Sequence, residues 1–239
     1  CRKNCRKGFY MVMKTVRKTA ACVVAFIAIY LLAATAWAWA AADEVIARYP
    51  ARNVDALSAS QAAILLKIED PTFFQHHGLS LADGQGLTTI SSSVARDLYL
   101  FQADLPGVKG MFQGFYRAVF ACCKKIDIGR DVMALVLDAN LPKQQQLAIY
   151  TAEAYMGTNN GAQVKGFAQA SQSYFGKPLG QITDNEFAAL AAMVKAPNQF
   201  HPRRNPAAHT LRVKRVAAVV SDACKPSGWF DTTYEHCAH

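Results

Sequence analysis

Ala20 to Ala42 contains no charged residue, and this run constrains the chain more than any other feature. At about 1.5 Å per residue it spans roughly 34 Å as a helix, enough to cross a hydrocarbon core of about 30 Å. Trp37 and Trp39 near its far end, with Tyr30 near its middle, suit an interfacial belt on one side. Arg2, Lys3, Arg6, Lys7, Lys14, Arg17 and Lys18 precede the run with no acid among them, which by the positive-inside rule holds that end in the cytoplasm. Ala38-Trp39-Ala40 has the small-x-small form of a signal-peptidase site, but the length of the run favours a retained anchor. The expected division is a cytoplasmic basic segment (1–19), a transmembrane helix (20–42) and an outer domain (43–239).

That division accounts for the charge. The chain carries +9, and its 17 acids all lie beyond the span, whereas seven of its 26 basic residues precede it. The outer part is therefore near neutral, and the high pI is an anchor signature that gives no support to nucleic-acid binding. It is long enough for one substantial domain. Of the seven cysteines, Cys1, Cys5 and Cys22 belong to the anchor and Cys122 and Cys123 are adjacent; Cys224 and Cys237 can pair in an oxidising compartment. No cysteine or histidine spacing reads as zinc ligation.

In the outer part, Ser58 and Gln61 form a capping box that opens a helix through Leu65, Leu66 and Ile68. Pro71 biases Asp70 away from the α region, so Glu69 falls at the helix end beside Phe73 and Phe74. A carboxylate set against aromatic surface at such a break can have its pKa tuned for acid or base work, although solvated acids at a helix end are the blander alternative. After Gly78, Gly84 and Gly86, a second helix over Thr88 to Leu100 turns Ile90, Val94 and Leu98 to the core. Thr89, Ser92, Ser93 and Arg96 lie on another face, which reads either as an anion site or as an ordinary solvated face.

Leu105 to Cys123, followed by Lys124-Lys125, interleaves Val108, Met111, Phe112, Phe115, Tyr116, Val119 and Phe120 with Lys109 and Arg117, suiting either core packing or a membrane interface. Helices then follow from Asp131 to Ala139, from Lys143 behind Pro142, over Gly166 to Phe175 before Gly176, from the capping box Thr183/Glu186, and from Asn205-Pro206. Gly157 and Asn159-Asn160-Gly161 end the second of these. With no convincing strand alternation, the expectation is mainly α.

Taken in order, these stretches resemble the peptidoglycan glycosyltransferases of family 51, found as monofunctional enzymes and as the first domain of class A penicillin-binding proteins. The first motif, E-D-x-x-F-x-x-H-x-G, is met by Glu69, Asp70, Phe73, His76 and Gly78. The second is matched by Gly86-Leu87-Thr88-Thr89-Ile90-Ser91, by Arg96 in place of lysine, and by Leu98-Tyr99-Leu100, with Ser92 and Ser93 where the family has glutamines. Later motifs are echoed by Ile149-Tyr150, Glu153 to Gly157, Lys165 to Ala168, Tyr174 to Lys177, Ala188 to Ala191 and Asn198 to Pro202.

The resemblance implies a lysozyme-like, two-lobed, mainly α domain behind a single anchor in the bacterial inner membrane, facing the periplasm. It implies polymerisation of lipid II, with Glu69 as general base on the acceptor 4-hydroxyl and undecaprenyl pyrophosphate leaving with inversion. Asp70, beside Glu69, is a further catalytic candidate. Substrate contacts fall to Phe73, His76, Gly86, Thr88, Thr89, Ser92, Ser93, Arg96, Arg130 and Lys165. The implied partners are lipid II, the growing glycan chain, the membrane and other cell-wall synthesis proteins. No cofactor is required, and a divalent cation, Mg or Mn, has a place at the pyrophosphate. The family's second glutamate is missing: Arg130 occupies its position, leaving Asp131 or Asp127 to supply an acid. The same fold without catalysis would bind glycan or lipid II as a scaffold, and a single glutamate would also serve a lytic transglycosylase. No S-x-x-K or K-T-G set marks a transpeptidase.

Overall fold

The computed structural model describes residues 2–49, 57–102, 104–120 and 127–237, with side chains from residue 13 onward and excepting residue 120. The fold is mainly α, as expected. Its first element, α1 (Arg2–Arg48), is one unbroken helix, so the boundary drawn after Ala42 falls inside it. Val16, Val24, Phe26, Ile29 and Leu32 are exposed along the lower part, while Ala34, Trp37, Ala38, Ala41, Ala42 and Val45 are buried in the core. The buried set recurs at three- and four-residue steps and so makes one stripe. The alanines let neighbouring helices approach closely, and Trp37 fixes the contact: its ring stacks on Phe112 at 5.0 Å and its Nε1 donates to the Lys109 carbonyl. The outer part of this apolar helix is thus a core helix of the domain.

Helix α2 (Ala59–Glu69) begins with the reciprocal bonds of the Ser58/Gln61 box and stops at Asp70, before Pro71. Helix α3 (Ile90–Arg96) continues into a π-helical turn (Asp97–Gln102), and Ile90, Val94 and Leu98 are buried as their spacing predicts. Then come α4 (Gly107–Phe120), α5 (Ile128–Asn140), α6 (Lys143–Glu153), α7 (Gly166–Phe175), α8 (Asp184–Ala191) and α9 (Pro206–Val220). The stretch through Cys122-Cys123 and Lys124-Lys125 lies outside the described residues, and so does Cys1.

A hairpin departs from the sequence reading. Between α6 and α7, β1 (Tyr155–Asn159) and β2 (Ala162–Lys165) pair antiparallel, with Asn159 opposite Ala162. Asn160 (φ 50°) and Gly161 (φ 80°) form the connecting turn, both in the left-handed region that tight hairpins require. Asn-Gly reads as a helix stop as easily as a hairpin turn, and four- and five-residue strands are too short to show alternation. An irregularity between Tyr155 and Thr158 places Tyr155 opposite Lys165.

Gly78 shows why one motif glycine is needed. At φ 101°, an added Cβ would sit 2.8 Å from the Ala134 carbonyl oxygen of α5. Gly78→Ala is expected to destabilise the protein by about 3 kcal/mol, read as a fall of roughly 10 °C in Tm by thermal circular dichroism.

Candidate active site

Glu69 is the last residue of α2, and its carboxylate lines a cavity of about 290 Å³. Thr88 and Thr89, just before α3, and Ser93 within it join the lining, α6 contributes Tyr150, and the segment after α8 contributes Lys195. Burial is the main reason the Glu69 pKa is raised from its ordinary value to about 7, ahead of the opposing pull of Lys195 and Arg212 and the hydrogen bond from Tyr150. Tyr150 Oη donates to Glu69 Oε2 at 3.3 Å. Its own pKa is pushed well above the usual phenol range, first by burial and then by the Glu69 charge, so it stays a donor. Burial draws Lys195 downward. Near neutral pH this carboxylate is therefore divided between acid and base, as a group that must take up and later release a proton requires.

Asp70 does different work. It is fully buried, its Oδ2 accepts the Ile90 N–H at 2.9 Å, and both oxygens lie 3.0–3.1 Å from His76 Nε2. His76 Nδ1 accepts the Gly78 N–H at 3.0 Å, which leaves the ring proton on Nε2 to be donated to Asp70. Asp70 thus joins the end of α2 to the start of α3 and is not among the residues that line the Glu69 cavity.

Other residues expected to contact substrate also make packing and capping interactions. Phe73 is buried in the core, with Lys143 Nζ 4.6 Å from its ring centroid. Thr89 and Ser92 form a third capping box: Thr89 Oγ1 accepts the Ser92 N–H and Ser92 Oγ accepts the Thr89 N–H, each at 3.0 Å. Ser92 is fully buried and is not among the residues that line this cavity, whereas Thr89 borders it. The Gly86 N–H donates to the Trp229 carbonyl at 2.9 Å, binding a later segment of the chain.

A second cavity, of about 590 Å³, adjoins the first and shares Ser93, Ala154 and Tyr155 with it. Arg96 and Lys165 bring cations to it, and Asp97 and Glu153 bring acids. Arg96 lies 4.8 Å from the Phe101 ring centroid, and Lys165 Nζ stands 3.8 Å from Glu153 Oε2. Burial, together with the Glu153 charge and against that of Arg96, raises Asp97 to about 6. Glu69, Thr88, Ser93, Arg96 and Lys165 are thus brought together along one continuous groove.

Arg130 and Asp131 are not part of its lining. Buried Arg130 pairs with Asp131 Oδ1 at 3.1 Å and reaches the Leu87 carbonyl at 3.4 Å. Asp127 caps α5 by accepting the Arg130 N–H at 3.0 Å, and it also accepts from Tyr116. Neither aspartate faces Glu69 across the groove; the acids that share the groove are Asp97 and Glu153. Sequence reasoning passes over these two as site residues, along with Tyr150 and Lys195. Tyr150 and Glu153 sit inside the motif echo from Ile149 to Gly157, and Lys195 is a lone cation ending an apolar run before Pro197, a signal too weak to single it out.

Residues 127–221 match the transglycosylase family. Penicillin-binding protein 1B of Buchnera aphidicola is 30% identical over 156 residues, covering 59% of this chain and 19% of its own length. Penicillin-binding protein 1B of Escherichia coli is 28% identical over 156 residues, covering 59% and 16%. Penicillin-binding protein 1A of Escherichia coli is 26% identical over 183 residues, covering 69% and 19%. The chain spans less than a fifth of the length of these relatives.

Proposed function

We propose that this chain, a divergent member of the family 51 peptidoglycan glycosyltransferases, polymerises lipid II into glycan strands with Glu69 as its general base. The observation that carries this reading is a carboxylate held near pKa 7 in a cavity that opens directly into a second one bearing Arg96 and Lys165. Glu69 takes the proton of the acceptor 4-hydroxyl, whose oxygen attacks the anomeric carbon of the growing chain. The bond to undecaprenyl pyrophosphate breaks with inversion, and Arg96, Lys165 and the Thr88 and Ser93 hydroxyls stabilise the charge that leaves. Tyr150 occupies Oε2 of the base and so leaves Oε1 for substrate.

The reaction needs no resident cofactor. The carboxylates of Asp97 and Glu153, two hard oxygen donors in the second cavity, fit a Mg or Mn ion shared with substrate phosphate, and these residues would hold it. Such an ion would supply countercharge to the pyrophosphate. The near-neutral outer domain calls for no nucleic-acid partner; the partners of this reading are lipid II, the growing glycan, the membrane and other cell-wall synthesis proteins.

A single-pass location in the inner membrane follows, with segment 1–19 in the cytoplasm, 20–42 as the span, its outer turns from Ala34 onward packed against the domain, and 43–239 in the periplasm. The chain carries one helix long and apolar enough to cross a membrane among the described residues. Beside it, α4 exposes Val108, Met111, Phe115 and Val119 at helical spacing, a face suited to the acyl boundary. Such an arrangement keeps the groove near a polyprenyl substrate.

The test is incubation of the purified, detergent-solubilised chain with labelled lipid II. Polymeric glycan and released undecaprenyl pyrophosphate are the expected products. Lipid II binding without turnover would replace this reading with a scaffold, and soluble anhydro-sugars from peptidoglycan would replace it with a lytic enzyme.

A further inference from the structure

The segment after α9, Cys224 to Cys237, lies beyond the family match, yet it is built into the back of the Glu69 site. A disulfide joins its two ends. Within it, Asp231 accepts the N–H groups of Ser227 and Tyr234 at 2.9 and 3.0 Å, folding the segment on itself. Its carbonyls then bind the loop before α3: Gly84 donates to Gly228 at 3.0 Å and Gly86 to Trp229 at 2.9 Å. The fit is close, since a Cβ at Gly84 would meet Pro226 at 2.8 Å and one at Gly86 would meet Thr232 at 2.9 Å.

Two bonds carry this docking to the catalytic helix end. Tyr234, 1% exposed, donates from Oη to the Ile68 carbonyl at 3.0 Å. Gln85, held between the two docked glycines, donates from Nε2 to the Glu69 carbonyl at 3.0 Å. Carbonyls in the last turn of a helix have no partner within it, and here the last two of α2 are met from outside. The Tyr234 ring also lies 4.7 Å from the Arg212 guanidinium, a buried cation that acts on Glu69.

We propose that Cys224 to Cys237 is a strap that positions Glu69, with Tyr234 as the positioning residue and the disulfide as its latch. Without the latch, the Cys237 end of the segment is no longer tied to its Cys224 end, and the hydrogen bonds at Ile68, Gly84 and Gly86 become transient. The acceptor-facing carboxylate then samples several positions, which lowers turnover more than substrate affinity.

The experiment compares the full chain in detergent as wild type, Tyr234→Phe and Cys224→Ser/Cys237→Ser, each with and without dithiothreitol. The reagent reduces the disulfide to two thiols as it closes to its own cyclic disulfide. Three readouts are taken: amide exchange at Gly84 and Gly86, the ¹³C carboxyl titration of Glu69, and the kinetics of lipid II polymerisation. Reduction and the double serine variant are expected to expose both glycine amides to exchange, shift the Glu69 titration and lower kcat about tenfold at constant KM. Tyr234→Phe keeps the ring over Arg212 and is expected to lower kcat about three- to tenfold with the same titration shift. The serine variant should no longer respond to the reagent. Exposed amides with an unmoved Glu69 titration in both reduced wild type and Tyr234→Phe would overturn the proposal. The kinetic arm rests on the proposed polymerisation, but the other two do not. A wild type that leaves lipid II unpolymerised while exchange and titration respond would end that function and sustain the strap.

Discussion

Glu69→Gln is expected to lower lipid II polymerisation by about 10³-fold, within the range for removal of a general base, while leaving the helical circular dichroism unchanged. Wild-type kcat should rise with pH through about 7, as the carboxylate loses its proton, and then level off. The same substitution should stabilise the protein in alkali. The folded-state pKa of Glu69 lies above its ordinary value of 4.5, so between pH 4.5 and 7 the folded chain binds more protons than the unfolded one. Stability from this group is therefore lost as pH rises through that window, on the order of 1 to 3 kcal/mol. Glutamine escapes the loss. Thermal melts of the two proteins should coincide near pH 4.5 and separate above pH 7 with the variant higher. Equal polymerisation by wild type and variant would remove Glu69 from the chemistry, and melts that stay together at about pH 8 would remove the burial cost assigned to it.

Asp70→Ala is expected to abolish activity by a different route. The change strips the acceptor from the Ile90 N–H and from His76 Nε2 at a position with no solvent to replace it. A loss of about 3 to 5 kcal/mol follows, the usual consequence of breaking a buried charged hydrogen-bond pair from one side. Tm should fall by more than roughly 10 °C, together with activity. A catalytic acid at this position would instead give a variant with normal Tm and depressed kcat. Asp131→Ala offers the contrast: Asp131 is half-buried, pairs with Arg130 and lies outside the groove lining, so its removal should leave kcat within severalfold of wild type.

Features governed by neighbours within four residues are legible in the amino-acid sequence. The Ser58/Gln61 and Thr183/Glu186 boxes, the stop at Pro71 and the stripe Ile90, Val94, Leu98 depend on local hydrogen bonds and helical periodicity, and each is present in the fold. The Thr89/Ser92 box is harder to read, because serine at its fourth position is an uncommon reciprocal partner and the same hydroxyls suggest an anion site. The hairpin is equally hidden, because short strands carry little periodic signal and Asn-Gly ends helices as readily as it turns strands.

The sequence alone determined the long apolar N-terminal helix, the mainly α character and the place of Glu69 at a helix end, since composition, periodicity and one proline suffice for these. It left Asp70 beside Glu69 as a second candidate for the chemistry, because adjacent carboxylates are alike until their surroundings differ. Only tertiary packing separated them. It turned Asp70 inward onto the first N–H of α3 and set Glu69 against Tyr150 and Lys195, residues remote in the chain that burial brings within range of its charge. Tertiary packing also drew the outer turns of α1 into the core and placed Tyr234 behind the Glu69 end of α2. A pKa, and with it a role in proton transfer, is set by desolvation and nearby charge, and neither exists until the chain has folded around the group.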